Sequence, residues 1–191
     1  MKLIFAQGNP DKQYETTRHN VGWLAIDALA KRLNASAWKL DKKHAAELAT
    51  ATVGDEKVIL VKPHTYYNET GRSAQSLVQF YKIQPASDLL VLHDDLALPF
   101  GTIRTREKGR DAGNNGIKSL NAHLGSQYGR IRIGIWNDLQ QRMGDADFVL
   151  ASFSKAEQAH LQDTVLPATF PFIDDFLHGT LAPHSVSHPL A

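Results

Sequence analysis

The pattern that decides the fold lies in residues 1–34, MKLIFAQGNPDKQYETTRHNVGWLAIDALAKRLN. Leu3–Ala6 is a continuous apolar run, which is typical of a strand buried on both faces. Gly8, Asn9 and Pro10 then mark a turn. Val21–Leu33 carries apolar residues at the spacing of one helical face. A buried strand, a loop and an amphipathic helix in this order are typical of an α/β protein.

The same alternation continues along the chain. Further strands are predicted at Leu48–Val53, Val58–Val61, Leu89–Leu92 and Arg130–Ile135. Helices are predicted at Ser73–Tyr81, with Leu77, Phe80 and Tyr81 facing inward, and from Asn115 to Gly125. Ser154 and Glu157 have the spacing of a capping box, and Pro167 and Pro171 interrupt the helix that follows.

These elements predict one α/β domain over residues 1–178, with a central mixed, mostly parallel sheet flanked by helices. Residues 179–191 lack periodicity, and we expect a frayed tail there.

Composition excludes several classes of protein. The chain has 191 residues, of which 42% are hydrophobic and 21% charged, and it has no cysteine. That profile excludes a disordered chain, a disulfide framework and a thiolate metal site. No apolar run approaches the roughly 18–20 residues of a membrane span. The sequence also lacks a phosphate loop, a GxGxxG fingerprint, an HExxH motif and a GxSxG motif. We therefore expect a soluble, cytoplasmic protein.

The net charge of +1 hides an uneven distribution. Residues 101–142 have a net charge of +5, and residues 143–191 have a net charge of −5. A basic segment of this kind either follows a phosphate backbone or forms an ordinary solvated face.

Polar side chains collect where the predicted strands end, the edge at which open α/β sheets bind ligands. Four clusters fall there: Gly8–Pro10 with Thr17–Asn20, Lys62–Gly71, His93–Asp95 and Gly113–Gly116. Together they supply a histidine, carboxylates and several amides but no obvious nucleophile. That inventory suits the activation of a water molecule.

Each cluster also has a purely structural interpretation. His19 would be a surface residue beside a helix that Asn20 caps, and Asn68 would lie in a turn. Asn114 and Asn115 would mark the start of a helix. The cluster at 93–95 would form a turn or bind a metal ion, although adjacent side chains on a strand point to opposite faces.

Five blocks of sequence follow one another in a recognisable order. They are Gly8–Pro10 with Tyr14 and Thr17–Gly22, Lys62–Gly71, His93–Gly101, Asn115–Lys118, and Arg130–Ile135. In this order they resemble the bacterial-type peptidyl-tRNA hydrolases over about residues 3–160. Phe148–Leu150 with Phe153 and Ser154 is similar to the family's late strand-to-helix junction.

The resemblance implies an enzyme that hydrolyses the ester between a peptide and the 3′ ribose of tRNA, and so recycles peptidyl-tRNA. It makes His19 the base that activates water and Asp94 the carboxylate that orients it. The implied substrate contacts are Asn9, Tyr14, Tyr67, Asn68, Asn114 and Asn115. The implied tRNA contacts are Arg104, Arg106 and Arg132, which would explain the basic segment. The resemblance implies no metal or organic cofactor, and we expect a monomer.

Two positions depart from the family pattern at the site. Asn114 stands where many members have histidine, and Tyr67 stands where the family usually has methionine. Retention of His19 and Asp94 favours an active enzyme. The two departures leave open a catalytically weak relative that binds RNA or a protein partner. A metal-dependent hydrolase centred on His93 and Asp94 is a third alternative.

Overall fold

A computed structural model describes residues 1–190, and Ala191 lies outside the described residues. Eight strands form one mixed sheet in the order β2-β3-β4-β1-β5-β7-β6-β8. The strands are β1 Lys2–Ala6, β2 Lys39–Asp41, β3 Ala46–Val53, β4 Glu56–Pro63, β5 Leu89–Pro99, β6 Thr102–Arg106, β7 Gly129–Trp136 and β8 Ser185–Ser187.

The central strands of the sheet are parallel and the outer ones antiparallel. β1 pairs in parallel with β4 and β5, and β5 pairs in parallel with β7. The β2–β3, β3–β4, β6–β7 and β6–β8 pairs are antiparallel. Because parallel strands end at the same edge, the loops after β1 and β4 and the part of β5 just beyond its pairing with β1 come together there.

Helices cover both faces of the sheet. They are α1 Val21–Arg32, α2 Thr70–Tyr81, α3 Pro85–Asp88, α4 Asn115–Leu124, α5 Gln140–Met143, α6 Asp145–Leu150, α7 Lys155–His160 and α8 Phe170–Leu177. Short 3₁₀ turns cover Lys12–Tyr14, Arg18–Asn20, Tyr67–Glu69 and Pro167–Thr169, and a π-helical turn covers Leu161–Val165.

Alternate residues of the buried strands supply two separate cores. In β1, Ile4 packs with α1 and α8 on one face, and Phe5 packs with α2 and α4 on the other. This two-sided burial explains the continuous apolar runs in the sequence. No helix within residues 1–190 is both long enough and apolar enough to cross a membrane.

The structure confirms the five predicted strands and the three predicted helices, with shifts of one to three residues at their ends except in β5. β5 runs to Pro99, seven residues beyond the predicted Leu92, so His93–Asp95 lie inside this longer strand. The capping box is present, since Ser154 accepts from the N–H of Glu157 and the Glu157 side chain accepts from the N–H of Ser154. Pro167 opens a 3₁₀ turn, and Pro171 lies in the first turn of α8, so both prolines punctuate the chain as predicted.

Three predictions are wrong. Part of the tail is not frayed, because β8 pairs with the outer edge of β6, whose backbone groups would otherwise face solvent. Phe148–Leu150 ends helix α6 and is not a strand. Phe80 does not face inward, because it is 54% exposed and lies against His44 with ring centroids 4.9 Å apart. β2, β6 and β8 were not predicted at all.

Candidate active site

The site is centred on His19 and Asp94. His19 lies in the 3₁₀ turn before α1, and Asp94 lies in the middle of β5, two positions beyond Leu92, where the pairing of β5 with β1 ends. Nδ1 of His19 is 2.9 Å from Oδ2 of Asp94. The histidine side chain is 17% exposed and the aspartate side chain is 2% exposed. Because Nδ1 faces a buried carboxylate, Nε2 is the nitrogen left to accept a proton.

The turn that carries His19 is fixed by its neighbour Arg18. The buried Arg18 guanidinium donates to the Glu157 carboxylate at 3.1 Å and lies over the rings of Phe148 and Phe153, 4.6 and 4.8 Å from their centroids. The N–H of Arg18 donates to the carbonyl of Ala151 at 3.0 Å. The base is therefore tethered to the segment between α6 and α7, although 139 positions separate Arg18 from Glu157.

Tyr67 occupies the centre of the site. Its ring is stacked on the His19 imidazole, with centroids 3.6 Å apart and planes 11° from parallel. Its hydroxyl donates to Oδ1 of Asp94. Asn114 Nδ2 donates to the same hydroxyl at 3.0 Å and to the Asp94 carbonyl at 3.3 Å. Both carboxylate oxygens of Asp94 thus have partners.

The surroundings set the ionisation states of the two buried acids. Burial opposes ionisation of Asp94, but the charge of His19 and hydrogen bonds from His19 and Tyr67 outweigh it and lower the pKa of the carboxyl. Burial, followed by the nearby negative charge of Asp94, raises the pKa of Tyr67 well above its ordinary value. The site therefore holds a carboxylate and a neutral phenol side by side.

Asn9 and Asn20 lock the loops around the site together. The Asn20 carboxamide accepts from the N–H of Asn9 and donates to the Asn9 carbonyl, both at 2.9 Å. Oδ1 of Asn9 in turn accepts from the N–H of Tyr67 at 2.9 Å. Asn20 is buried and makes no cap hydrogen bond to α1. It is a site residue that sequence reasoning missed, because its type and position are equally typical of a helix cap.

The remaining predicted substrate residues are Asn115, Asn68 and Tyr14, of which only Asn115 lines the cleft in front of His19. Asn115 is exposed at the first position of α4 and lines the cleft in front of His19. Asn68 is exposed in the 3₁₀ turn after β4. Tyr14 is half-buried in the turn at residues 12–14 and lies outside the set of residues that line the cleft. The structure therefore brings Asn115 to the cleft but not Tyr14.

The cleft in front of His19 has a volume of about 520 Å³ and a basic wall. Of the three predicted tRNA contacts, Arg106 and Arg132 line it. Three further basic residues line it that the resemblance did not single out: Lys108, Arg110 and Arg130. Arg132 forms an ion pair with Asp95. The alternation of Arg130 and Arg132 along β7 was the available signal, since alternate strand residues share a face.

Arg104 lies beside this wall. It pairs with Arg132 across the β6–β7 ladder, as Arg106 pairs with Arg130. Nε of Arg104 donates to the Ser185 hydroxyl in β8 at 3.4 Å. The cross-strand pairing places four arginines on one face of two neighbouring strands.

His93 lies next to the site but is buried. Its Nδ1 is 2.7 Å from the Asp94 carbonyl oxygen. Burial lowers the pKa of His93 to about 4, against partial opposition from Asp95 and Asp94. Within residues 1–190, no group of three or more histidine, aspartate or glutamate side chains is placed to hold a metal ion. The metal-dependent alternative therefore has no ligand cluster in the described part of the chain.

Comparison with known proteins decides the family. A family model described as peptidyl-tRNA hydrolase matches residues 3–184. The chain belongs to the peptidyl-tRNA hydrolase family. The peptidyl-tRNA hydrolase of Lactiplantibacillus plantarum is 45% identical over 169 residues, which cover 88% of this chain and 89% of the relative. That of Alkaliphilus oremlandii is 46% identical over 167 residues, covering 86% and 87%.

Solved structures of peptidyl-tRNA hydrolases have the same fold. The enzyme from Acinetobacter baumannii superposes with a TM-score of 0.83 at 30% identity, covering 94% of this chain and 89% of that one. A complex of a peptidyl-tRNA hydrolase with N-propanol gives a TM-score of 0.84 at 29% identity, covering 95% and 90%. The predicted family and the predicted α/β class are confirmed, and the chain is a hydrolase.

Proposed function

We propose that His19 and Asp94 carry out the hydrolysis of peptidyl-tRNA in this chain. The observation that supports this assignment is the 2.9 Å contact between Nδ1 of His19 and Oδ2 of Asp94 at the end of a cleft. A buried carboxylate on Nδ1 fixes the orientation of the ring and stabilises the positive charge that the imidazole acquires as a base.

The proposed reaction needs only water as the second substrate. Nε2 of His19 removes a proton from a water molecule as the water oxygen bonds to the ester carbonyl carbon. The tetrahedral intermediate then breaks the bond to the 3′ oxygen of the ribose, and the proton on His19 passes to that oxygen. The products are a peptide with a free carboxyl group, which releases its proton to solvent, and a tRNA with a free 3′ hydroxyl.

Amide side chains are proposed to hold the substrate at this point. Oδ1 of Asn9 is occupied by the N–H of Tyr67, which leaves its Nδ2 to donate. Asn115 lies at the mouth of the cleft, and Asn68 lies in the turn after β4. Donors of this kind stabilise the negative charge that develops on a carbonyl oxygen. Tyr14 is proposed to contact substrate farther from the reacting ester.

The basic wall is proposed to bind the tRNA. Arg104, Arg106 and Arg132 lie on one face of β6 and β7, beside the cleft that ends at His19. Guanidinium groups bind phosphate oxygens and position a nucleic acid without reading its sequence. A tRNA bound to this wall would have its phosphate backbone next to His19, the base that activates the attacking water.

The proposal is tested by the release of N-acetyl-amino acid from N-acetyl-aminoacyl-tRNA. Wild type, His19→Ala and His178→Ala are compared in the presence of EDTA. His178 is an exposed histidine after α8 and serves as the matched control. We expect wild type and His178→Ala to turn over equally, and His19→Ala to lose at least about 100-fold in kcat.

Each contrary result has a separate meaning. Loss of wild-type activity in EDTA would support the metal-dependent hydrolase. Wild type that binds tRNA but releases no product identifies a non-catalytic RNA-binding relative. Wild-type activity that survives in His19→Ala removes His19 as the base.

We propose that the chain acts as a monomer in the cytoplasm, where translation supplies peptidyl-tRNA. Light scattering coupled to gel filtration tests the monomer against the mass of 21.2 kDa. A mass twice that value contradicts it.

A further inference from the structure

Tyr67 and Asn114 are hydrogen-bonded to each other and to Asp94. We propose that they act as one positioning unit, which fixes the orientation of the Asp94 carboxylate and of the His19 ring. This inference rests on the proposed roles of His19 and Asp94. Tyr67 and Asn114 are also the two departures from the family pattern that lie beside Asp94, and they contact each other.

The hydrogen bonds of the unit have one consistent direction. Oδ1 of Asn114 accepts from the N–H of Ile117 at 3.0 Å, which leaves Nδ2 to donate to the Tyr67 hydroxyl. The hydroxyl oxygen accepts from Asn114, so its single proton is directed to Oδ1 of Asp94. The first turn of α4 therefore determines, through two side chains, which way the tyrosine proton points.

Asp94 needs this second donor because water is excluded from it. Its side chain is 2% exposed, and His19 occupies only Oδ2. A buried carboxylate oxygen without a donor is unfavourable. The Tyr67 hydroxyl satisfies Oδ1 and so stabilises the one rotamer in which Oδ2 faces Nδ1 of His19. Loss of the hydroxyl frees the carboxylate to rotate away from the imidazole.

Two neighbours pack against the Tyr67 ring. One face lies 3.6 Å from the His19 ring, measured between centroids. The other contact is with Gly116 in α4, where an added Cβ would overlap the Tyr67 ring. Because the imidazole packs on a ring that also contacts Gly116, the stack helps to fix the plane of the His19 ring, while Asp94 holds its Nδ1. Tyr67 thus acts on the base by stacking and on the carboxylate by hydrogen bonding.

The experiment is steady-state hydrolysis of N-acetyl-aminoacyl-tRNA by wild type, Tyr67→Phe, Asn114→Ser and the double variant. Phenylalanine keeps the ring and removes the hydroxyl. Serine keeps a cap for α4 but is too short to reach Tyr67. Tyr66→Phe is the matched control, because Tyr66 is the adjacent tyrosine and is 56% exposed.

We expect Tyr67→Phe to lower kcat about 10-fold and Asn114→Ser about threefold, with KM within about twofold of wild type. The double variant is expected to be no slower than Tyr67→Phe alone, because Asn114 acts through the hydroxyl. Tyr66→Phe is expected to match wild type. Circular dichroism melts verify that each variant is folded, and Asn114→Ser tests the same bonds if Tyr67→Phe unfolds.

If the Tyr67→Phe variant has the same kcat as wild type, the inference is wrong. A rise in KM alone overturns it too, and makes Tyr67 a substrate contact. Additive losses in the double variant show that the two residues do not act as a unit. Inactive wild type, or an active His19→Ala variant, instead marks failure of the proposed function on which the inference rests.

Discussion

Nδ1 of His19 lies 2.9 Å from Oδ2 of Asp94, although 75 positions separate the two residues in the chain. Asp94 is placed by β5, a strand paired on both sides within the sheet. His19 is placed by a turn whose Arg18 is buried against Glu157. The hydrogen bond between His19 and Asp94 thus joins a central strand to an anchored turn. The fold alone sets the geometry of this bond, without a substrate.

Asp94→Asn is expected to lower kcat about 100-fold or more while KM changes little, because orientation of the base matters in the transition state. An asparagine amide presents either a donor or an acceptor to Nδ1 and no longer selects one tautomer. The measurement is steady-state ester hydrolysis, with Asp55→Asn in the exposed β3–β4 turn as the control. A change in KM alone would make Asp94 a binding residue.

Arg18→Met is expected to reduce the free energy of unfolding by about 3 kcal/mol, because it leaves the Glu157 carboxylate buried without its partner. It is also expected to reduce kcat, since His19 is the next residue. Urea unfolding measures the first effect. Arg32→Met is the control, because the Arg32–Asp174 pair is 37% and 36% exposed and contributes at most about 1 kcal/mol. Equal losses in the two variants would contradict the prediction.

Acid is expected to destabilise the fold through His93. Burial lowers its pKa to about 4, from 6.5 for an ordinary histidine. Between these two values the unfolded chain binds a proton that the folded chain does not bind. The free energy of unfolding therefore falls as the pH decreases from 6.5 to about 4, and His93 contributes about 3 kcal/mol to that loss. Urea unfolding of wild type, His93→Asn and the control His178→Asn across this range is the measurement. If the free energy of unfolding falls equally with pH in wild type and in His93→Asn, the assignment of the acid effect to His93 is wrong.

Arg106→Ala and Arg132→Ala are each expected to weaken tRNA affinity and to reduce the slope of log K against log salt by about 1, because one fewer phosphate contact releases fewer counterions. Arg104→Ala is expected to act in the same direction. Lys57→Ala removes the same charge from an exposed position at the start of β4, away from the cleft. Filter binding over a salt series measures the slopes. An arginine variant with the wild-type slope does not contact phosphate.

The predictions from the sequence succeeded where burial repeats along the chain. β1, β4 and β5 are apolar at successive positions because both faces of the sheet are covered, and α1 shows its buried stripe directly. β2 and β8 escaped prediction because they are three-residue edge strands with mostly exposed side chains. Their strand geometry comes from pairing with a neighbour, which no local pattern records.

The candidate site was also predictable only in part from the sequence. Residue types alone left structural alternatives open at each cluster, and the resemblance of the ordered blocks to a family pointed to His19, Asp94 and the surrounding amides. The family match confirmed the kind of protein that carries them. Which atoms touch was not readable from the sequence. From the sequence, Tyr67 was only a bulky departure from the family pattern, and Asn20 was only a possible helix cap. The structure gives each of them defined hydrogen-bond partners.

By itself the sequence determined the α/β class, the buried strands and the family, because these depend on residue type and on spacing along the chain. Only the tertiary structure decided that the Tyr67 hydroxyl meets Asp94, that Arg18 is anchored by Glu157 and that the tail completes the sheet beside β6. Those contacts join residues far apart in sequence. They form because sheet pairing and close packing bring the residues together, and neither leaves a local periodic signal.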